Sequence, residues 1–165
     1  MRRPQAAVPG PGQETVWDYP RPPAVVASPR HVVVRLGGVV VADTHRAWRV
    51  LETSHPPVWY VPRVDVVAGS LEASDRTSYC EFKGTATYWT VVGGGRSEVD
   101  AAWSYPQPST GYEAITDAVA FYPGRMQDCR VDDELVRPQA GGFYGGWVTD
   151  DVVGPFKGEP GTSSW

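Results

Sequence analysis

Short β-branched runs, broken by glycine, proline and aspartate pairs, set the pattern of this chain. His31–Leu36 and Val39–Asp43 flank Gly37-Gly38. That arrangement predicts a hairpin with a two-residue primed turn, where a positive φ costs glycine nothing. Ala47–Glu52 alternates and predicts a third strand, ended by the loop Thr53-Ser54-His55-Pro56-Pro57, whose prolines forbid a helix and hold the backbone extended. Val58–Val61 predicts a short strand, and Arg63–Ala73 has room for a helical turn. A second hairpin is predicted from Ser78–Phe82 and Thr85–Val92, with Gly93-Gly94-Gly95 turning the chain into Ser97–Tyr105 before Pro106 and Pro108 break it. Ala114–Tyr122 predicts another strand, alone or after one helical turn, and Cys129–Val136 a small hairpin around Asp132-Asp133. Seven or eight short strands with one or two helical turns predict an all-β, mostly antiparallel fold: a small barrel, roll or sandwich.

Composition narrows this picture without changing it. A length of 165 residues fits one domain, long enough to bury a core without a disulfide or a metal. The 18 Gly and 16 Pro show no period and suit tight turns and loose ends. We expect one domain over 16–153 between irregular tails at 1–15 and 154–165, with Phe156 and Trp165 able to pin down the second. A net charge of −4 is a poor match to a phosphate backbone, so nucleic acid is not an expected partner. No apolar run reaches the roughly 18 residues needed to span a membrane. Arg2-Arg3 is followed by prolines and glycines rather than an apolar h-region, which predicts a cytoplasmic protein with Cys80 and Cys129 as thiols.

Several stretches together resemble a bacterial domain-of-unknown-function family sometimes filed under a nucleotidyltransferase heading. They are Val16-Trp-Asp-Tyr-Pro-Arg-Pro-Pro23, Ala42-Asp-Thr44 with Arg49-Val-Leu-Glu-Thr-Ser-His-Pro-Pro57, Ser78-Tyr-Cys80 with Phe82-Lys-Gly84, and Ala101-Ala-Trp-Ser-Tyr105. The resemblance covers about residues 14–138. Gly141–Trp147 and Gly154-Pro-Phe-Lys157 look like an actinobacterial variety of it. It implies a small, cytoplasmic, mostly β protein and brings no settled activity. The position after the strand cysteine, commonly proline in that family, is Glu81 here, which implies a slightly different chain direction. Nucleotidyl transfer needs a Gly-Ser turn followed by spaced carboxylates that hold Mg²⁺. Gly69-Ser70 is followed only by Glu72 and Asp75, with no P-loop or Rossmann glycine fingerprint. No cofactor is predicted.

Cys80 is the leading candidate for chemistry. On a strand it would share a face with Phe82, and Lys83 at the strand end would favour the thiolate. The alternative is an inert buried thiol. His55 sits in a proline-stiffened loop, from which it would act as a base toward Cys80 while Glu52 holds its tautomer; otherwise it shapes the turn. Arg49 and Lys83 are candidate ligands for a carboxylate or phosphate, Arg46 having less support, with surface ion pairing as the alternative. Most aromatics belong to the core, while Trp103 and Tyr105 on one strand face are candidates to line a pocket. With no Cys-x-x-Cys or His-x-x-x-His, no metal site is predicted.

Three functions follow. The first is a metal-independent small-molecule enzyme using Cys80, or Glu52, His55 and Lys83 as an acid–base set. It predicts a concave pocket on which these side chains converge. The second is a non-catalytic domain in which Arg49, Lys83, Trp103 and Tyr105 bind an anionic or ring-bearing ligand. The third is an interaction protein whose Gly141–Trp147 segment docks on a partner, predicting an exposed apolar patch and no deep pocket. An exposed strand edge would permit a homodimer.

Overall fold

The computed structural model describes residues 4–165; the Arg2-Arg3 pair lies outside them. Among the described residues the chain forms β1 (Glu14–Thr15), β2 (Ala24–Ser28), β3 (Val32–Leu36), β4 (Val39–Thr44), β5 (Ala47–Leu51), β6 (Val58–Tyr60), β7 (Leu71–Cys80) and β8 (Gly84–Gly93). It continues with β9 (Arg96–Ser104), β10 (Ala120–Phe121), β11 (Asp128–Val131), β12 (Glu134–Leu135), β13 (Arg137–Pro138), β14 (Trp147–Val148) and β15 (Val152–Val153). Single 3-10 turns sit at Val16–Asp18, Arg63–Asp65, Glu113–Ile115 and Pro123–Arg125, and no helix is long and apolar enough to cross a membrane.

The strands form two four-stranded sheets, β10-β9-β8-β7 and β12-β11-β3-β4, and a three-stranded sheet, β2-β5-β6. Two small pairs, β1-β15 and β13-β14, complete the set. All ladders are antiparallel except β1-β15, where Glu14 and Thr15 lie against Val152 and Val153. No sheet closes on itself, so the fold is an all-β sandwich and not a barrel.

The glycine pairs turn the chain where the sequence places them. Gly37 and Gly38 have φ of 61° and 82°, and Gly94 and Gly95 have 55° and 77°. The two hairpin tips touch backbone to backbone, and a Cβ on Gly94 would run into the Gly37 carbonyl. Asp132 and Asp133 take the same left-handed conformation at 47° and 67°, which short polar side chains tolerate. One boundary differs from expectation. β7 ends at Cys80, which pairs with Gly84, so Glu81-Phe82-Lys83 is a turn and Phe82 is not on the strand. Gly84, at φ 103°, lets the chain fold straight back. β7 is also the edge of its sheet, and Glu72, Asp75 and Arg76 along it are exposed charges that discourage further strand pairing.

Two apolar clusters meet in the middle. In one, Val34, Leu36 and Cys129 of one sheet pack with Val91 and Ala101 of the other, around Trp59 and Trp147. The last two are fully buried and stack with ring centroids 6.2 Å apart. In the other, Val50 and Tyr60 of the three-stranded sheet face Ala86, Tyr88, Trp103 and Tyr105. A smaller cluster of Val16, Trp17, Tyr19 and Leu51 is packed by Phe156 and Trp165, and the Trp17 indole donates to the Pro155 carbonyl at 2.9 Å.

Candidate functional site

Strand alternation aims alternate residues at one cavity. Val50 of β5 and Glu52 just after it, Val58 and Tyr60 of β6, and Ser78 and Cys80 of β7 all line it. So do Tyr88 of β8 and the pair Trp103 and Tyr105 at the end of β9. Of the intervening residues, Trp59 fills the first apolar cluster and Arg49 packs 5.8 Å from the Trp59 ring, while Tyr79 borders the cavity with its neighbours. The cavity measures about 310 Å³. Its remaining walls come from far along the chain: Tyr122, Gln139, the stretch Phe143–Gly145 and Lys157. Gly145 is required there, because a Cβ would enter the Trp103 indole ring.

His55 occupies one wall, its side chain only 14% exposed. Its Nδ1 lies 3.1 Å from Gln139 Nε2 and its Nε2 3.7 Å from Glu52 Oε2, with the Tyr144 ring edge-on at 5.0 Å. Burial, then the positive charges of Lys157, Arg21 and Lys83, pull its pKa down to about 4, so the imidazole is neutral near pH 7. Gln139, itself buried, also donates from Nε2 to the Lys157 carbonyl at 2.7 Å and accepts the Gly146 N–H at 3.2 Å. Gln139 rather than Glu52 is therefore in hydrogen-bond contact with the ring.

The tyrosines supply hydroxyls that stay protonated. Burial raises Tyr60 and Tyr105 far above the ordinary phenol value, and Tyr122 is pushed up to about 12 by burial and by Tyr88. The Trp103 indole donates to the Tyr60 hydroxyl at 3.3 Å and lies 4.6 Å from the Tyr122 ring. The Tyr88 hydroxyl shares a hydrogen bond with Ser78 Oγ at 2.9 Å. Lys83 Nζ stands 5.8 Å from the Tyr105 ring and Lys157 Nζ 5.8 Å from the Tyr144 ring, the latter also donating at 3.1 Å to a terminal carboxylate oxygen of Trp165. Among the described residues Lys83 forms no ion pair, whereas Glu52 is paired with Arg21 at 3.2 Å. The site thus carries one ammonium group, that of Lys83, with no carboxylate of its own.

Six of the residues singled out in the sequence, Glu52, His55, Cys80, Lys83, Trp103 and Tyr105, meet at this cavity. Arg49 does not. It lies one position out of phase with Val50 and Glu52, and both its terminal nitrogens bind Glu14 Oε1 at 2.7 Å. Arg46 clasps Asp65 on the surface at 2.9 Å. Both cysteines are free: Cys80 is half-buried, and Cys129 is buried with its thiol pushed up by desolvation. The Gly141–Trp147 segment lies against its own domain. Trp147 is fully buried with its indole donating to the Phe121 carbonyl at 3.1 Å, and Phe143 and Tyr144 face the cavity. Gln139 carries no signal in the sequence, and Lys157 stands there only as the end of the Gly154-Pro-Phe-Lys157 stretch, with no role in a site attached to it. The Gly69-Ser70 turn, Glu72 and Asp75 lie outside the cavity wall. Among the described residues no group of three or more His, Cys, Asp or Glu side chains gathers as a metal site.

A family model described as a domain of unknown function (DUF427) matches residues 24–132, about two thirds of the chain. No curated protein matches it. The matched span holds all six of those cavity residues and ends before Gln139, Tyr144 and Lys157.

Proposed function

This chain belongs to the DUF427 family of domains of unknown function, and from that premise we propose that it is a small-molecule enzyme whose nucleophile is Cys80. The observation that carries this reading is convergence. Glu52 and His55 from one stretch of chain and Cys80 and Lys83 from another line a single cavity of about 310 Å³. Protein cores are close-packed, so a space of this size bounded by ionisable groups calls for an occupant from outside. Lys83 ends the turn that begins after Cys80, so an ammonium and the thiol line the same cavity. Trp103, Tyr105 and Tyr122 form an apolar wall against which a ring would stack, and Glu52 and His55 would position the polar part of the substrate.

The test is alkylation of Cys80 as a function of pH, with Cys129→Ser removing the buried thiol. An apparent pKa well below the ordinary value of about 8.5 supports the nucleophile. No reaction in the folded protein removes it. The second reading, a non-catalytic site for an anionic or ring-bearing ligand, then takes its place, favoured by Lys83, a cation at the cavity that lacks a carboxylate partner.

A further inference from the structure

We propose that the occupant of this cavity is a small ring-bearing carboxylate, its anionic end held by the Nε2–H of His55 in the field of Lys83 and Lys157. The inference rests on the cavity being a small-molecule site. It starts from Gln139, whose amide has one workable orientation. Its Oε1 accepts from the Gly146 N–H at 3.2 Å, and its Nε2 donates to the Lys157 carbonyl at 2.7 Å. Flipping the amide would set donor against donor and acceptor against acceptor. The second Nε2 hydrogen therefore points at His55 Nδ1, 3.1 Å away, and Nδ1 must be the lone pair. In a neutral ring the proton then sits on Nε2.

Among the described residues that proton has no hydrogen-bond partner. Glu52 Oε2 is 3.7 Å away, outside hydrogen-bond range, and is engaged by Arg21. His55 is thus a preset donor and not a base, and Gln139 is the residue that sets it. Charge agrees with this assignment. Three cations, Lys157, Arg21 and Lys83, act on His55; Arg21 is balanced by Glu52 and Lys157 by the terminal oxygen of Trp165, which leaves Lys83 without an anion of its own. The walls then select the rest of the ligand. Trp103, Tyr105, Tyr122 and Tyr144 offer ring faces and edges, and about 310 Å³ is at the small end of ligand sites, suiting one or two rings. Among the described residues no arginine lines the cavity, and phosphate groups are commonly met by arginine forks or by glycine-rich backbone loops. A carboxylate is the better fit.

The experiment is a titration of ¹⁵N-labelled full-length protein with benzoate, with benzamide as its uncharged isostere and acetate as its ringless counterpart. Before titration, long-range ¹H–¹⁵N spectra should show His55 protonated on Nε2. Benzoate at millimolar concentration should shift the His55 ring and Trp103 indole signals saturably, while benzamide and acetate at the same concentration should not. Lys83→Met should weaken benzoate about tenfold, the scale of one charge-assisted hydrogen bond, and Lys83→Arg should retain most of it. An Nδ1-protonated His55, equal binding of benzamide, or no saturable response to benzoate overturns the assignment. A Cys80 that resists alkylation overturns only the nucleophile, so the two failures are separable.

Discussion

His55 makes the stability of this protein depend on pH in a window where carboxylates contribute little. The perturbation is its proton. An ordinary imidazole titrates at 6.5, and burial together with Lys157, Arg21 and Lys83 holds this one at about 4. Between those values the unfolded chain binds a proton that the folded chain refuses. Stability is therefore fully present above the unfolded value, falls as pH drops toward about 4, and levels off below it. At about 1.4 kcal/mol per pH unit of displacement, the whole effect is about 3 kcal/mol, of which about 2 kcal/mol falls between about pH 7 and 4.5. The side chain is 14% exposed, so solvent screening takes little from this figure. The carboxylates held low in the fold act further down. Asp65, pulled to about 2 mainly by its hydrogen bond from Arg46, loses its contribution as pH falls through its unfolded value of 3.8 and below. Urea unfolding of wild type and His55→Gln at about pH 7 and 4.5 isolates the term. Wild type should lose about 2 kcal/mol more than the variant across that interval. Parallel losses in the two proteins, or a ring titration by NMR near the ordinary value, would refute the account of His55 as a buried neutral group.

Other expectations follow from the same contacts. Gly94→Ala should cost at least about 2 kcal/mol, because its Cβ meets the Gly37 carbonyl as well as a positive φ. Gly95→Ala, with φ 77° but open space around it, should cost only about 1 kcal/mol, and thermal melts of the pair separate the collision from the backbone term. Trp147→Ala should cost about 3–5 kcal/mol in denaturant unfolding, since it empties a fully buried site and strips the Phe121 carbonyl of its donor. Gly145→Ala forces the Phe143–Gly145 wall off the Trp103 indole; it should cost about 1–2 kcal/mol and speed Cys80 alkylation, and an unchanged rate would mean that this wall does not screen the thiol.

What the chain declared on its own was local. The turns at Gly37-Gly38, Gly94-Gly95 and Asp132-Asp133 are set by residues that accept a positive φ, and the flanking β-branched runs make each hairpin from neighbours in sequence. The residue types of a site were legible too, because a cysteine, a proline-held histidine and a strand-end lysine are unusual wherever they fall. Strands β2, β13, β14 and the β1-β15 pair were not. They are short or without clear alternation, and Glu14 finds its partner Val152 only once the whole sandwich has assembled.

Tertiary structure decided which candidates meet. A shift of one residue along β5 separates Arg49 from Val50 and Glu52, and that parity sends the guanidinium to Glu14 and the carboxylate to the cavity. Gln139 and Lys157 reach His55 from more than 80 residues away, through hydrogen bonds that no local pattern encodes. The Gly141–Trp147 segment reads in sequence as a strip of glycine and exposed aromatics. Its second half, Tyr144–Trp147, is instead cavity wall and core while Phe143 at the cavity rim stays exposed, because Gly145 and Gly146 lack the Cβ that would keep their backbone off Trp103 and Pro56. Turns and strands are settled by neighbours along the chain, whereas a site is settled by which faces the packed sheets bring together.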